Sequence, residues 1–246
     1  MNATAALLPP MGNTGVEQRD GSQSVRPDWL HGTCPIERYD GQVSERWSVE
    51  RLAITLREFF PGSTGARHRG NRHFAEALRH REFALFWEGV GDTRGRVYVE
   101  VRGEGWADLA EADALELLRY LTVAHRFKAS RFDLALDVPG LTADAIETRL
   151  NAADYRSRAR EIATHRTLKG ARRGGTVEFG SRASDRFLRC YDYRGPLRIE
   201  VELKRAFASG AVTEVIGARE FRPTWASNVR AVVEFPGWAE WEAATC

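Results

Sequence analysis

The residues best suited to chemistry sit in two strand-like segments joined by a tight turn. Phe187-Leu-Arg-Cys-Tyr-Asp-Tyr193 leads through Arg194-Gly195-Pro196 into Leu197-Arg-Ile-Glu-Val-Glu-Leu-Lys204. Side chains of a strand alternate between its two faces, so Leu197, Ile199, Val201 and Leu203 share one face and Arg198, Glu200, Glu202 and Lys204 the other. By the same rule Phe187, Arg189, Tyr191 and Tyr193 fall together. An upstream segment, Arg131-Phe-Asp-Leu-Ala-Leu-Asp-Val138, sets Asp133 and Asp137 on a polar face opposite Phe132, Leu134, Leu136 and Val138. Four carboxylates on neighbouring polar faces repel one another unless cations lie among them. Two solutions fit the residue types: a hard divalent ion such as Mg²⁺ or Mn²⁺, which takes oxygen ligands, or cross-strand ion pairs with Arg131, Arg198 and Lys204.

Strands that are apolar on one side and charged on the other belong to an antiparallel sheet with helices packed on one face. The expected fold class is therefore α+β, with an open polar face carrying the acids and Tyr191. Other segments agree. Arg96–Arg102 alternates Val97, Val99 and Val101 with Tyr98, Glu100 and Arg102, and residues 27–36 read as a first strand that contains His31, a lone candidate ligand. Helical spacing predicts helices over Trp47–Phe60 with Ser48 as N-cap, over Glu111–Phe127, and from a Thr142 cap to Leu150. Gly103–Trp106 reads as a turn, and part of the basic stretch from Gly62 to Arg81 as a loop. The organisation expected is a disordered tail over residues 1–26, a catalytic domain over 27–206, and a helical, aromatic segment over 207–246 packed back on it.

Composition narrows the class of protein. At 246 residues the chain is long enough for a real core, and 43% hydrophobic with 28% charged residues is ordinary for a globular protein. Three cysteines without a CxxC spacing argue against a thiolate zinc site and for a reducing compartment such as the cytosol. No apolar run approaches the ~20 residues of a membrane span, and no basic segment followed by an apolar core marks a secretory signal. The net charge of +2 is uninformative, but the basic residues cluster. Arg156, Arg158, Arg160, Arg166, Lys169, Arg172 and Arg173 form a run suited to neutralising DNA phosphates. A small-molecule hydrolase is disfavoured by that run and by the lack of a glycine-rich phosphate loop.

In order and spacing these motifs resemble the replication initiation factor family of rolling-circle plasmids and filamentous phages. The resemblance runs from Asp28-Trp29-Leu30 to Lys204 and includes Tyr98-Val-Glu-Val-Arg-Gly-Glu-Gly105 and Arg131–Asp137. It is densest in Phe179–Ser184, Arg189-Cys-Tyr-Asp192 and Arg198–Leu203. It implies an antiparallel sheet flanked by helices, and a nicking-closing reaction in which Tyr191 attacks a DNA phosphodiester at a replication origin. A 5′-phosphotyrosyl link and a free 3′-OH result. Arg189 and Arg198 would grip phosphate oxygens, and Asp133, Asp137, Glu200 or Glu202 would hold the divalent metal. Origin DNA, host helicase and polymerase, and a second subunit in a homodimer are the partners implied. The family's lysine after Tyr-Asp is replaced by Tyr193, which leaves either a missing phosphate contact or a second candidate nucleophile. A competing expectation is a DNA-binding regulator that keeps this fold without the chemistry.

Overall fold

The computed structural model describes residues 24–36, 38–39, 42–169 and 172–245. The tail expected over 1–26 lies outside these except for its last residues, where the first strand already begins. In chain order the elements are β1 (Arg26–Pro35), β2 (Arg38–Tyr39), β3 (Gln42–Val43), α1 (Glu45–Phe59), β4 (Gly65–Arg69), β5 (Phe74–His80), β6 (Phe83–Gly89), β7 (Arg96–Val101), α2 (Gly103–Asp108) and α3 (Glu111–Ala124). There follow β8 (Lys128–Val138), α4 (Ala143–Asn151), β9 (Arg156–Ser157), β10 (Ile162–Lys169), β11 (Arg172–Phe179), β12 (Arg186–Asp192), β13 (Leu197–Lys204), α5 (Arg205–Ala218), α6 (Arg222–Arg230), β14 (Val233–Glu234) and α7 (Ala239–Thr245).

Ten strands form one antiparallel sheet in the order β10-β11-β12-β13-β8-β1-β7-β6-β5-β4. The period-2 pattern decides which way it faces. Leu197, Ile199, Val201 and Leu203 of β13, Phe132, Leu134 and Leu136 of β8, and Val97, Val99 and Val101 of β7 are all fully buried in one core. Helices α1, α3 and α5 press on that side, and Trp225, Phe235 and Trp241 from the C-terminal elements join the same core. The fold is α+β, as the alternation predicts. Among the described residues no helix is long and apolar enough to cross a membrane.

Local signals explain the helix ends, with one correction. Thr142 caps α4, its side chain accepting from the Ala145 N–H at 3.2 Å. The cap of α1 is Ser44, which accepts from the Trp47 N–H at 3.2 Å, and not Ser48. Ser48 is buried inside the helix and donates to the Ser44 carbonyl at 2.9 Å. Both serines satisfy the capping preference, and the one preceding Glu45 wins because the helix starts earlier than its apolar stripe. Two further differences concern glycine-rich segments. The basic stretch read as part loop is a hairpin, β4 against β5, and Gly103–Trp106, read as a turn, opens helix α2.

The second face is less open than expected. Arg198, Glu200 and Glu202 on β13 are 0%, 1% and 2% exposed, although they lie on the face opposite the main core. They are shielded by one another and by long cationic and aromatic neighbours. Further along the same face Phe74, Ala77, Ala84 and Phe86 form a small apolar cluster with Tyr98 against it.

Candidate active site

Three registers assemble the site. Between β13 and β8, Arg198 lies opposite Asp137, Glu200 opposite Ala135, and Glu202 opposite Asp133. Between β12 and β13, Tyr191 lies opposite Arg198 and Arg189 opposite Glu200. Between β8 and β1, Trp29 faces Asp133, and a bulge lies between Pro27 and Trp29. The extra residue in that bulge is Asp28. A bulge re-aims a side chain that regular alternation would place elsewhere, and Asp28 meets Arg198 at 3.3 Å. A second irregularity follows at Gly32, where a Cβ would come within 2.2 Å of the Lys128 carbonyl, so only glycine lets β1 lie this close to β8.

Tyr191 is half-buried, and its hydroxyl donates to Glu200 Oε2 at 2.9 Å. The other oxygen of Glu200 is ion-paired with Arg189. The Nε of Arg189 is buried without a hydrogen-bond partner among the described residues. Burial pushes the Tyr191 hydroxyl well above the ordinary tyrosine range, and the charge of Glu200 adds to the rise, against the pull of Arg198 and Arg189. At neutral pH this phenol is protonated, with its proton directed at a carboxylate. Tyr193 stands edge-on to Tyr191, ring centroids 6.1 Å apart, and its own ring covers the Arg198 guanidinium at 3.8 Å.

Arg198 is placed differently from the expectation that it grips phosphate. It has no exposed surface; its Nε and Nη2 bind the two oxygens of Asp137 at 2.6 and 2.8 Å, and Nη1 reaches Asp28. A guanidinium so enclosed holds strands together and cannot touch a substrate. Arg26 adds a second contact to Asp137 at 3.1 Å. On the other side of Glu200, Arg131 binds Asp133 through two parallel bonds, Nε to Oδ1 at 2.9 Å and Nη2 to Oδ2 at 2.5 Å. It also pairs with Glu202 at 2.9 Å, and Lys204 meets Glu202 at 2.7 Å. Burial nevertheless pushes the Asp133 carboxyl up to about 8, against the pull of Arg131. His31 on β1 shares this face, accepting from or donating to Ser130 at 3.0 Å, and burial followed by the charge of Arg131 lowers it to about 4, so it is neutral.

These contacts bear directly on the metal expectation. Asp133, Asp137, Glu200 and Glu202 each already have a cationic partner, and among the described residues no three carboxylate, histidine or cysteine side chains converge to hold an ion. The donor set as folded does not fit a divalent metal, because a guanidinium would have to leave first. Of the two sequence-level solutions to acid repulsion, ion pairing is the one built into this arrangement.

The basic run is dispersed. Arg166 on β10 is tied to Asp144 at 3.2 Å and Glu147 at 2.5 Å on α4, the ordinary fate of a surface cation. Arg156 is in β9, and Arg158 and Arg160 follow it, exposed, at the end of β12 away from Tyr191. The side chains of Lys169, Arg172 and Arg173 lie outside the described residues. What sequence reasoning missed is Asp28. Burial, then the charge of Glu200, pushes it up to about 6, while Arg198 pulls it down. No periodicity marks a residue inside a bulge.

The raised Asp28 value has a testable sign. A carboxyl whose folded pKa exceeds its unfolded value binds more protons when folded, so its contribution to stability falls as pH rises between the two values. Relative to Asp28→Asn, the parent is expected to lose melting temperature from about pH 4 to about pH 6 and then run parallel. A flat difference across that window, measured by thermal melts of both proteins, would remove the buried-carboxyl assignment.

The chain thus combines a large antiparallel sheet, with helices on one face, and a tyrosine–carboxylate–arginine cluster on the other. A solved structure of the same architecture is the rolling circle replication initiator protein from Geobacillus stearothermophilus, with a TM-score of 0.70, 17% sequence identity and 87% of each chain covered. That likeness is one of fold. No family model and no curated protein matches the chain by sequence.

Proposed function

We propose that this protein is a tyrosine-dependent DNA nicking enzyme that initiates rolling-circle replication. The observation that carries the reading is the Tyr191 hydroxyl donating to Glu200 at 2.9 Å, with Arg189 on the other carboxylate oxygen. The shared fold with a replication initiator supports it. Tyr191 Oη attacks phosphorus, Glu200 takes the phenolic proton, and the bond from phosphorus to the 3′ oxygen breaks. The products are a 5′-phosphotyrosyl protein and a DNA 3′ end that, once protonated by solvent, primes synthesis by a host polymerase. Arg189, whose side chain is 18% exposed beside Glu200, offers a guanidinium N–H to a non-bridging oxygen.

Mutating Glu200 separates proton removal from placement. Glu200→Gln keeps an acceptor for the phenol but not a base, and is expected to slow adduct formation by about 10²–10⁴-fold at neutral pH. Its rate should climb with pH as hydroxide takes over. A variant as fast as the parent at pH 7 would remove Glu200 as the base.

The function itself is tested by incubating the protein with labelled single-stranded and supercoiled origin-bearing DNA, in EDTA and in Mn²⁺, and looking for label that stays with the protein through denaturing gels. Salt-dependent binding without any such adduct under every condition favours the non-catalytic DNA-binding reading instead.

A further inference from the structure

A cleft of about 660 Å³ opens beside the β11–β12 loop, between the residues after β9 and the start of α5. Its walls carry Arg158, Arg160, Arg186 and Arg205, with Asp185 and Glu161 as the acids. Asp185 is already paired with Arg205 at 2.6 Å. Arg158 and Arg160 form no ion pair with any described residue. Arg186 binds Asn228 Oδ1 at 2.9 Å through Nε and lies over the Phe207 ring, 3.9 Å from its centroid, without a carboxylate in ion-pairing reach. Burial lowers Arg186 from the usual arginine range, against the pull of Glu214 and with a smaller push from Arg158. Cations gathered around a hollow with too few anions leave room for a bound one. Phe207 is 39% exposed at the mouth, a large aromatic in water with Arg186 over one part of its ring.

We infer that this cleft is a second DNA contact, holding the backbone phosphates of a single strand with a base against Phe207. Arg186 and Tyr191 lie five residues apart on β12, or about 17 Å at the rise of a strand. Their side chains leave opposite faces, because Arg186 pairs with core-facing Leu203 and Tyr191 with Arg198. A strand engaged at both places therefore passes around the end of the sheet at the β11–β12 loop. The distance along the strand alone corresponds to about five stacked nucleotides at 3.4 Å each, and the passage around the end of the sheet adds to it. The inference takes the identity of its ligand from the nicking proposal but none of its chemistry.

The test is fluorescence anisotropy with labelled oligothymidylates of 4 to 20 nucleotides across a salt series. Arg158→Ala/Arg160→Ala is expected to weaken binding of the longer oligonucleotides roughly tenfold at low salt, and to lower the salt slope by about 1.4, two phosphates at ~0.7 each. Phe207→Ala should weaken it by roughly fivefold to hundredfold, the usual effect of losing a stacked base. Both sets of residues are exposed, and unchanged circular dichroism melts verify folding. Photo-crosslinking of iododeoxyuridine oligonucleotides, mapped by mass spectrometry, should mark the peptide containing Phe207. Parent-like affinity in both variants, or crosslinks confined to other peptides, overturns the cleft. An outcome in which these variants bind weakly while the parent forms no protein–DNA adduct sinks the nicking proposal and leaves the cleft standing.

Discussion

Tyr191→Phe is expected to abolish the covalent protein–DNA adduct, lowering its rate of formation by about 10⁴–10⁶-fold, the scale seen when a nucleophile is removed from a preorganised site. The ring, its half-buried seat and its neighbours all remain, so affinity for DNA should change by no more than a few-fold. The lost hydrogen bond to Glu200 is worth about 0.5–1.5 kcal/mol, and Glu200 keeps Arg189. Tyr193→Phe is the discriminating partner experiment. Tyr193 covers Arg198, whereas it is Tyr191 whose hydroxyl donates to Glu200. Adduct formation in Tyr193→Phe should stay within tenfold of the parent. Peptide mapping that puts the DNA on Tyr193, or a Tyr191→Phe protein that reacts at the parental rate, ends the assignment.

How far this site was legible in the sequence depends on which regularity carries each residue. Alternation alone places Tyr191, Arg189, Glu200 and Glu202 on one face and their strands in an antiparallel sheet, because strand period is a local property. The register of β13 on β8 is not local. It decides that Asp137 meets Arg198 and that Asp133 lies under Arg131, and so whether the acids attract a metal or are already neutralised. Asp28 was illegible for a different reason: a bulge breaks the period that sequence reading relies on. Basic runs are ambiguous in a third way. Arg158 and Arg166 look alike in a linear count, yet the fold ties Arg166 to two acids of α4 and leaves Arg158 beside a cleft.

Arg198→Met is expected to cost stability in place of substrate affinity. The guanidinium is fully buried and satisfies Asp137 twice and Asp28 once. Methionine fills much of its volume but leaves Asp28 without its hydrogen-bonded cation and Asp137 with Arg26 alone, and breaking a buried ion pair from one side costs about 3–5 kcal/mol. For a chain of this length each kcal/mol shifts the melting temperature by about 2–4 °C, so a fall of roughly 6–20 °C is expected. Neutralising the two acids should reverse much of it, because a buried pair replaced as a whole costs little. Adding Asp28→Asn and Asp137→Asn to Arg198→Met is therefore expected to restore more than half of the lost melting temperature. A phosphate-gripping arginine predicts the opposite pattern: a parental melt, weak DNA binding, and no rescue by the two asparagines. Thermal melts and anisotropy on the same three proteins decide between an arginine that fastens β13 to β1 and β8 beneath the tyrosine and one that reaches for the substrate.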